Sequence, residues 1–168
     1  MSRLFKPGQK FFVLDYETTG IDTEKSSPIE VGILVCDENF AVIDCYQSFI
    51  RVEEPMATWP ADQLQAYKVH GIMPSYVGEF APSMVTVGNE IHKQAERHTS
   101  RTNQKPVLVS DNIQFEWTFT KRILDVAMNS WPFHYCGWDS SLLLEATGIG
   151  DPKPAHRALA DAGLLQAA

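Results

Sequence analysis

Four apolar residues in a row, Phe11-Phe12-Val13-Leu14, stop at Asp15, and Thr18-Thr19-Gly20 follows with turn chemistry. A short run bounded in this way predicts a buried strand. Ile29 to Cys36 and Ala41 to Arg51 predict two more, with Asp37-Glu38-Asn39 between them as a hairpin turn. Three successive strands joined by turns predict an antiparallel start to a sheet. Beyond them, Pro60 to Val69 reads as a short helix with proline in its first turn and Gly71 as its stop. Pro74 to Pro82 reads as a loop. Ser83 to His98 has helical spacing, with Val85, Gly88 and Ile91 assigned to one face. Thr99 to Lys105 is a polar connection, Val107 to Val109 a short buried strand, and Phe115 to Met128 a helix. Pro132 to Cys136 is expected to hold a last short strand. Ser140 to Thr147 is read as helix, Gly148 to Pro154 as loop, and Ala155 to the end as helix. The order β-β-β-α-α-β-α-β-α-α predicts an α/β domain with a mixed sheet covered by helices. No repeat, low-complexity segment or linker divides the chain, so residues 1–168 are read as a single domain. The sequence ends inside a helical pattern, and its last helix is read as short or cut off.

Composition adds bounds. A chain of 168 residues is long enough for a full core. With 44% hydrophobic and 21% charged residues it fits a globular class. No apolar run approaches the roughly 20 residues of a membrane span. The apolar run after the polar stretch Met1 to Lys10 is too short for a signal-peptide core. The expectation is a cytoplasmic (intracellular) protein with no membrane partner. Cys36, Cys45 and Cys136 form no CxxC pair, so reduced and mostly buried thiols are expected. The net charge of −7 argues against tight, non-specific duplex binding. It is compatible with carboxylates whose charge is offset by bound cations.

Three groups of residues carry candidate chemistry. In Asp15-Tyr16-Glu17, strand alternation points both carboxylates the same way. Two such charges repel and raise each other's pKa unless something positive lies between them, and a divalent cation with oxygen ligands is the natural partner. Near the other end, His156-Arg157-Ala158-Leu159-Ala160-Asp161 follows Pro152 and Pro154, which set a helix start near Ala155. His156 before the first turn and Asp161 within the helix can then reach one site, and Ala158, Ala160 and Ala162 allow close approach to the sheet. In Ser110-Asp111-Asn112-Ile113-Gln114-Phe115-Glu116 a strand gives way to a helix whose first turn holds an acid. Helix-dipole stabilisation alone would also account for that acid.

The order and spacing of these motifs resemble the DEDDh (DnaQ-like) 3′→5′ exonucleases of the ribonuclease-H-like superfamily. Asp15 and Glu17 match the family's D-x-E. Asn112 and Phe115 match its N-x-x-F-D, with Glu116 where relatives usually have aspartate. His156, Ala158 and Asp161 match H-x-A-x-x-D. Ile29-Glu30-Val31-Gly32 looks like the second-strand I-E-[IV]-G segment, and Val69-His70-Gly71-Ile72 like [IV]-H-G-I.

The resemblance implies a ribonuclease-H-like three-layer αβα fold, with a mixed five-stranded sheet whose first three strands are antiparallel. It implies phosphodiester hydrolysis at the 3′ end of single-stranded DNA or RNA, releasing nucleoside 5′-monophosphates, with two divalent cations, Mg²⁺ or Mn²⁺. By the same resemblance Asp15, Glu17, Glu116 and Asp161 hold the metals and His156 is the general base. Thr18, Thr19, Gly20, Asn112 and Phe115 are then substrate-binding residues. Glu116 is one methylene longer than the usual aspartate, and Asp111 is the second choice for its role. Phe115 and Trp117 are candidates to stack a base, with core packing as the other reading for Phe115. His92, Lys93, Arg97, His98, Arg101 and Lys105, with Lys121 and Arg122, are candidates for backbone phosphates or plain solvated helix faces. A catalytically weakened module that binds a nucleic-acid end or a protein partner is the alternative function, and a different metallohydrolase the third. A polymerase or other protein partner, or a homodimer, remains open.

Overall fold

The computed structural model describes residues 6–52, 61–99, 104–141 and 157–167, with the side chains of 61–65, 74 and 164–167 left aside. Strands β1 (Phe11–Thr18), β2 (Pro28–Cys36) and β3 (Val42–Phe49) come first. Helices α1 (Ala61–His70), α2 (Pro74–Glu79) and α3 (Met84–Arg97) follow. Then come β4 (Val107–Ser110), α4 (Ile113–Val126), β5 (Trp138–Asp139) and α5 (Ala158–Ala167). The sheet order is β3-β2-β1-β4-β5. β1, β2 and β3 are antiparallel neighbours, as the turn-linked pattern predicts, while β4 and β5 run parallel to β1 and β4. The fold is therefore the mixed five-stranded α/β architecture expected from the resemblance.

β1 and β2 are apolar on both faces because both faces are covered. Phe12, Leu14 and Tyr16 point to one side, where they pack with Val31 and Ile33 of β2, Ile91 of α3 and Phe119 and Ile123 of α4. Phe11 and Val13 point to the other, against Val107, Val109 and Ala162 of α5. The result is three layers: α3 and α4, the sheet, then α5. Asp15 and Glu17 continue the row of Phe11 and Val13, so alternation directs them to the α5 side.

Several expectations change. Pro74 to Pro82 is not simply a loop: Pro74 starts the one-and-a-half-turn α2, which buries Val77 against Ile29, Val52 and Ile72. In α3 the buried face is Val87, Gly88, Ile91, Gln94 and Ala95, and Val85 is exposed. Val85 lies two residues before Val87, about 200° round the helix, so the two cannot share a face. The last strand is not Pro132 to Cys136 but Trp138–Asp139. Pro132 has no N–H to give a ladder, Phe133 turns into the main core, and the His134 amide donates to the Pro106 carbonyl instead, at 2.8 Å. α4 begins two residues earlier than expected, at Ile113. Only Cys36 of the three free thiols is buried. Ala158 and Ala162 meet the sheet, but Ala160 faces outward. Residues 142–156, which hold most of the expected Ser140–Thr147 helix, the Gly148–Pro154 loop and His156, lie outside the described residues. Among the described residues, no helix is long and apolar enough to cross a membrane.

Candidate metal centre at the end of the first strand

β4 pairs with β1 only as far as Val13. Beyond that point the end of β1 has β2 on one side and an open edge on the other, at the carboxyl ends of two parallel strands where α/β sheets characteristically bind ligands. Asp15 and Glu17 project there. Two features of β2 bring the third carboxylate to them. Opposite Asp15 stands Gly32, and a Cβ on it would lie 2.1 Å from the Leu159 amide nitrogen and 2.3 Å from the Ala158 carbonyl carbon. The missing side chain is what lets the first turn of α5 lie directly on the sheet. Opposite Glu17 stands Glu30, fully buried. Its carboxylate accepts from Arg157 Nε at 3.2 Å and Nη2 at 2.9 Å. It also accepts from the Ala158 amide at 3.3 Å and from Gln47 Nε2 at 2.8 Å. Glu30 thus fastens α5 both by a bidentate ion pair and by its N-terminal amide.

With α5 held in this way, carboxylate oxygens of Asp15, Glu17 and Asp161 all lie within 4.8 Å of one another. Asp161 is buried and accepts from the Arg157 amide at 3.3 Å. Burial, reinforced by the charges of Glu17, Asp161, Asp111 and Glu30, pushes Asp15 up to about 8. Burial and the charges of Asp161 and Glu30 push Glu17 up to about 7, with Arg157 opposing. Glu116 reaches the same end of β1 from the first turn of α4, where it is buried and accepts from the Tyr16 backbone amide. It stands outside the close trio, but burial and then the charges of Asp15, Glu17 and Asp111 raise its pKa far above the usual carboxylate range. Its Oε2 is buried with no hydrogen-bond partner. A buried acceptor without a donor, beside three converging carboxylates, fits a hard cation with oxygen ligands.

The remaining candidates divide. Thr18 donates its hydroxyl to the Gly20 carbonyl at 2.7 Å. Thr19 is buried and its hydroxyl accepts from the Ser27 amide at 2.9 Å, so it braces the turn rather than facing outward. Asn112, the N-cap of α4, is exposed in the left-handed region at φ 56. Phe115 packs edge-on to Phe119 with ring centroids 4.9 Å apart, and Trp117 lies on Trp131 at 4.2 Å; both rings lean on the main core. Asp111 is exposed on the turn after β4 and contributes charge at Asp15 and Glu116. His156 and Arg101 lie outside the described residues. The basic stretch is no free strip. His92 pairs with Glu96, Lys93 with Glu90, and Arg97 and His98 with Asp44. Lys105 donates to the Trp131 carbonyl and Lys121 pairs with Asp125. Glu30 and Gly32 received no role from the sequence. The available signals were a charge and a glycine inside an otherwise apolar strand.

Comparison with known proteins gives a consistent result. The family model RNase T, described as Exonuclease, matches residues 12–166. None of the curated proteins is similar to the chain at a significant level. Among solved structures, the zinc-bound complex of Escherichia coli exonuclease I with single-stranded DNA is 20% identical. It aligns with a TM-score of 0.72 over 95% of this chain and 39% of its own. The same enzyme with a dT13 oligonucleotide is 20% identical, with a TM-score of 0.72 over 95% of this chain and 40% of that one. A moderately thermophilic exonuclease I from Methylocaldum szegediense is 19% identical, with a TM-score of 0.69 over 95% and 39%. At this identity the likeness is one of fold, and the chain spans about two-fifths of the length of these structures.

Proposed function

The chain belongs to the RNase T exonuclease family, and on that premise we propose that it is a metal-dependent 3′→5′ exonuclease acting on single-stranded DNA or RNA. The product is a nucleoside 5′-monophosphate, and residues 1–168 act as one exonuclease domain inside the cell. The observation that carries this reading is the meeting of Asp15, Glu17 and Asp161 within 4.8 Å, with the unpartnered Glu116 oxygen beside them.

Two cations, Mg²⁺ or Mn²⁺, held by Asp15, Glu17, Asp161 and Glu116 would clamp the phosphoryl oxygens and make a water acidic enough to attack at neutral pH. The protein's own groups do the rest. Glu30 and Arg157 hold α5 so that Asp161 keeps its position. His156, one residue before Arg157, takes the proton from the attacking water, a task suited to an unperturbed imidazole pKa of about 6.5. The Thr18–Gly20 turn, locked by Thr19 to Ser27, presents a rigid backbone beside the terminal nucleotide. Asn112 is free on its outer face to meet the sugar or base. Phe115 supports that wall from the core side.

The test is a cleavage assay on 5′-labelled single-stranded DNA and RNA, with Mg²⁺, Mn²⁺ or chelator, alongside Asp15→Ala. A ladder shortening from the 3′ end, metal-dependent and absent in the variant, supports the reading and names the preferred sugar. Full activity in Asp15→Ala would end it. Binding without cleavage of either strand would favour the binding-module alternative.

A further inference from the structure

Arg122, read from the sequence as a candidate for a backbone phosphate or a plain solvated helix face, is tied to the site's turn. From α4 it reaches across the segment between β1 and β2. Its Nη1 donates to the Ser26 carbonyl at 2.6 Å and its Nη2 to the Thr23 carbonyl. Its guanidinium also lies 5.2 Å from the centre of the Phe119 ring. Next to it opens a cavity of about 300 Å³, lined by Ser27, Arg51, Ser83, Val85, Arg122 and Val126 among others, with no carboxylate in its wall among the described residues. In a chain of net charge −7, a cavity whose described charged wall residues are two guanidiniums is notable for its sign.

Three independent features of this cavity suit one ligand chemistry. Each guanidinium has five N–H donors. Arg51 gives one to the Ala81 carbonyl at 3.0 Å, and Arg122 gives the two above, so most donors of both have no protein acceptor among the described residues. Second, the cavity wall includes the start of α3. That helix is 14 residues long, has no acid in its first turn, and its cap Ser83 satisfies only the Thr86 amide. The first amides of a helix otherwise lack partners and favour an anion. Third, the remaining wall is apolar, from Val52, Met84, Val85 and Val126, which suits a sugar or base beside the anion. The cavity also adjoins the metal centre. Ser27 is hydrogen-bonded to Thr19 in both directions, and Thr19 lies two residues beyond Glu17, about 7 Å along a strand.

We propose that this cavity is a second phosphate-binding site, in which Arg51 and Arg122 hold a backbone phosphodiester of the same nucleic-acid strand whose 3′ end lies at the carboxylates. This rests on the nuclease reading above. It explains how an acidic protein grips a polyanion without a basic surface: one built phosphate seat, set back from the reacting end, gives a short footprint.

The test is equilibrium binding of labelled oligothymidylates of about three and about twelve nucleotides, chosen to fall short of and to exceed a usual single-strand site. It uses the full chain with Ca²⁺, and compares wild type with Arg51→Met, Arg51→Lys and Val85→Glu. The last places an acid on an exposed helix position at the cavity wall and leaves the core untouched. We expect Arg51→Met and Val85→Glu to weaken the longer strand about tenfold, with a salt slope smaller by about 0.7 in Arg51→Met. Arg51→Lys should recover part of the loss, and the short strand should bind all variants alike. Equal affinity of wild type and both variants for the longer strand overturns the proposal. So does a result in which inorganic phosphate binds wild type and not Arg51→Met while strand affinity is unchanged, since the seat then takes free phosphate. Cleavage by wild type with unaltered strand binding in the variants removes the phosphate seat and leaves the nuclease reading. The expected binding losses in a wild type that cleaves nothing remove the nuclease reading and leave the seat.

Discussion

Gly32→Ala tests how the third carboxylate is placed. The added methyl carbon would sit 2.1 Å from the Leu159 nitrogen, 2.3 Å from the Ala158 carbonyl carbon and 2.4 Å from the Leu159 Cα. All three are backbone atoms, so no side chain can rotate away. Reaching an ordinary contact of 3.5 Å requires α5 to lift by about 1.4 Å. Overpacking of this kind costs about 1–3 kcal/mol, partly offset by about 0.5–1 kcal/mol from removing a strand glycine. The larger effect falls on catalysis. A misplacement of about 1 Å can cost about a hundredfold in rate, and α5 carries both Asp161 and Arg157. We expect the urea midpoint to fall modestly and the rate of 3′ cleavage to fall at least a hundredfold. Gly163→Ala is the control on the same helix. Its added carbon would meet only Leu34 Cδ1 at 3.9 Å, and a helical glycine replaced by alanine gains up to about 1 kcal/mol. Wild-type rate and stability in Gly32→Ala would refute the claim that α5 is seated by the absence of that side chain.

Other outcomes follow from the same geometry. Glu30→Ala leaves Arg157, Gln47 and the Ala158 amide without their acceptor; breaking a buried pair costs about 3–5 kcal/mol, and the half-exposed Arg157 places the loss at the lower end, read as a shifted denaturation midpoint. An unshifted midpoint would show that the ion pair does not hold α5. Without cations, Asp15 and Glu17 have folded pKa values of about 8 and about 7 against ordinary values of 3.8 and 4.5. The folded state then holds protons that the unfolded chain has released. Their contribution is therefore fully present below about pH 4 and is lost as pH rises to about 8. Melting in chelator should weaken from pH 5 to pH 8, and saturating Mg²⁺ should restore stability most at the upper end, where carboxylates bind it without first losing protons. A melting temperature in chelator that rises over this range would contradict the assignment. Glu116→Gln keeps the shape and removes the charge. It should preserve stability in chelator and lower cleavage about a hundredfold, whereas an undiminished rate would move the role to Asp111.

The sequence made the sheet legible where burial is two-sided. β1 and β2 carry apolar residues on both faces because helices cover both, and the short turns between the first three strands allow only antiparallel neighbours. The carboxylates of β1 were legible for the same reason, since alternation fixes that Asp15 and Glu17 share a face. What failed were elements whose form depends on distant contacts. α2 exists because Val77 fills a gap beside Ile29 and Ile72, and no local pattern marks a helix between two prolines. β5 is two residues long, below the reach of any period, while the more apolar Phe133 nearby belongs to the core. Glu30 and Gly32 were visible as residues, but their meaning lies in what α5 brings against them from the far end of the chain. His92, Lys93, Arg97 and His98 of the α3 segment looked available in one dimension and are matched by acids in three.

The proposed metal centre joins residues from opposite ends of the sequence. Asp15 belongs to the first strand and Asp161 to the last helix, which touches the sheet through small residues and one ion pair. Chain synthesis supplies the acceptor strands early and the third carboxylate last, so a partly made chain has a sheet but no complete site. The same dependence persists after folding. Helix α5 can open as a local unit at less cost than the whole domain, and each opening disarms the centre while the core stays intact. On the proposed reading, cleavage would report whether α5 is home, and a molecule that gripped or pried that helix would control the reaction without touching the substrate.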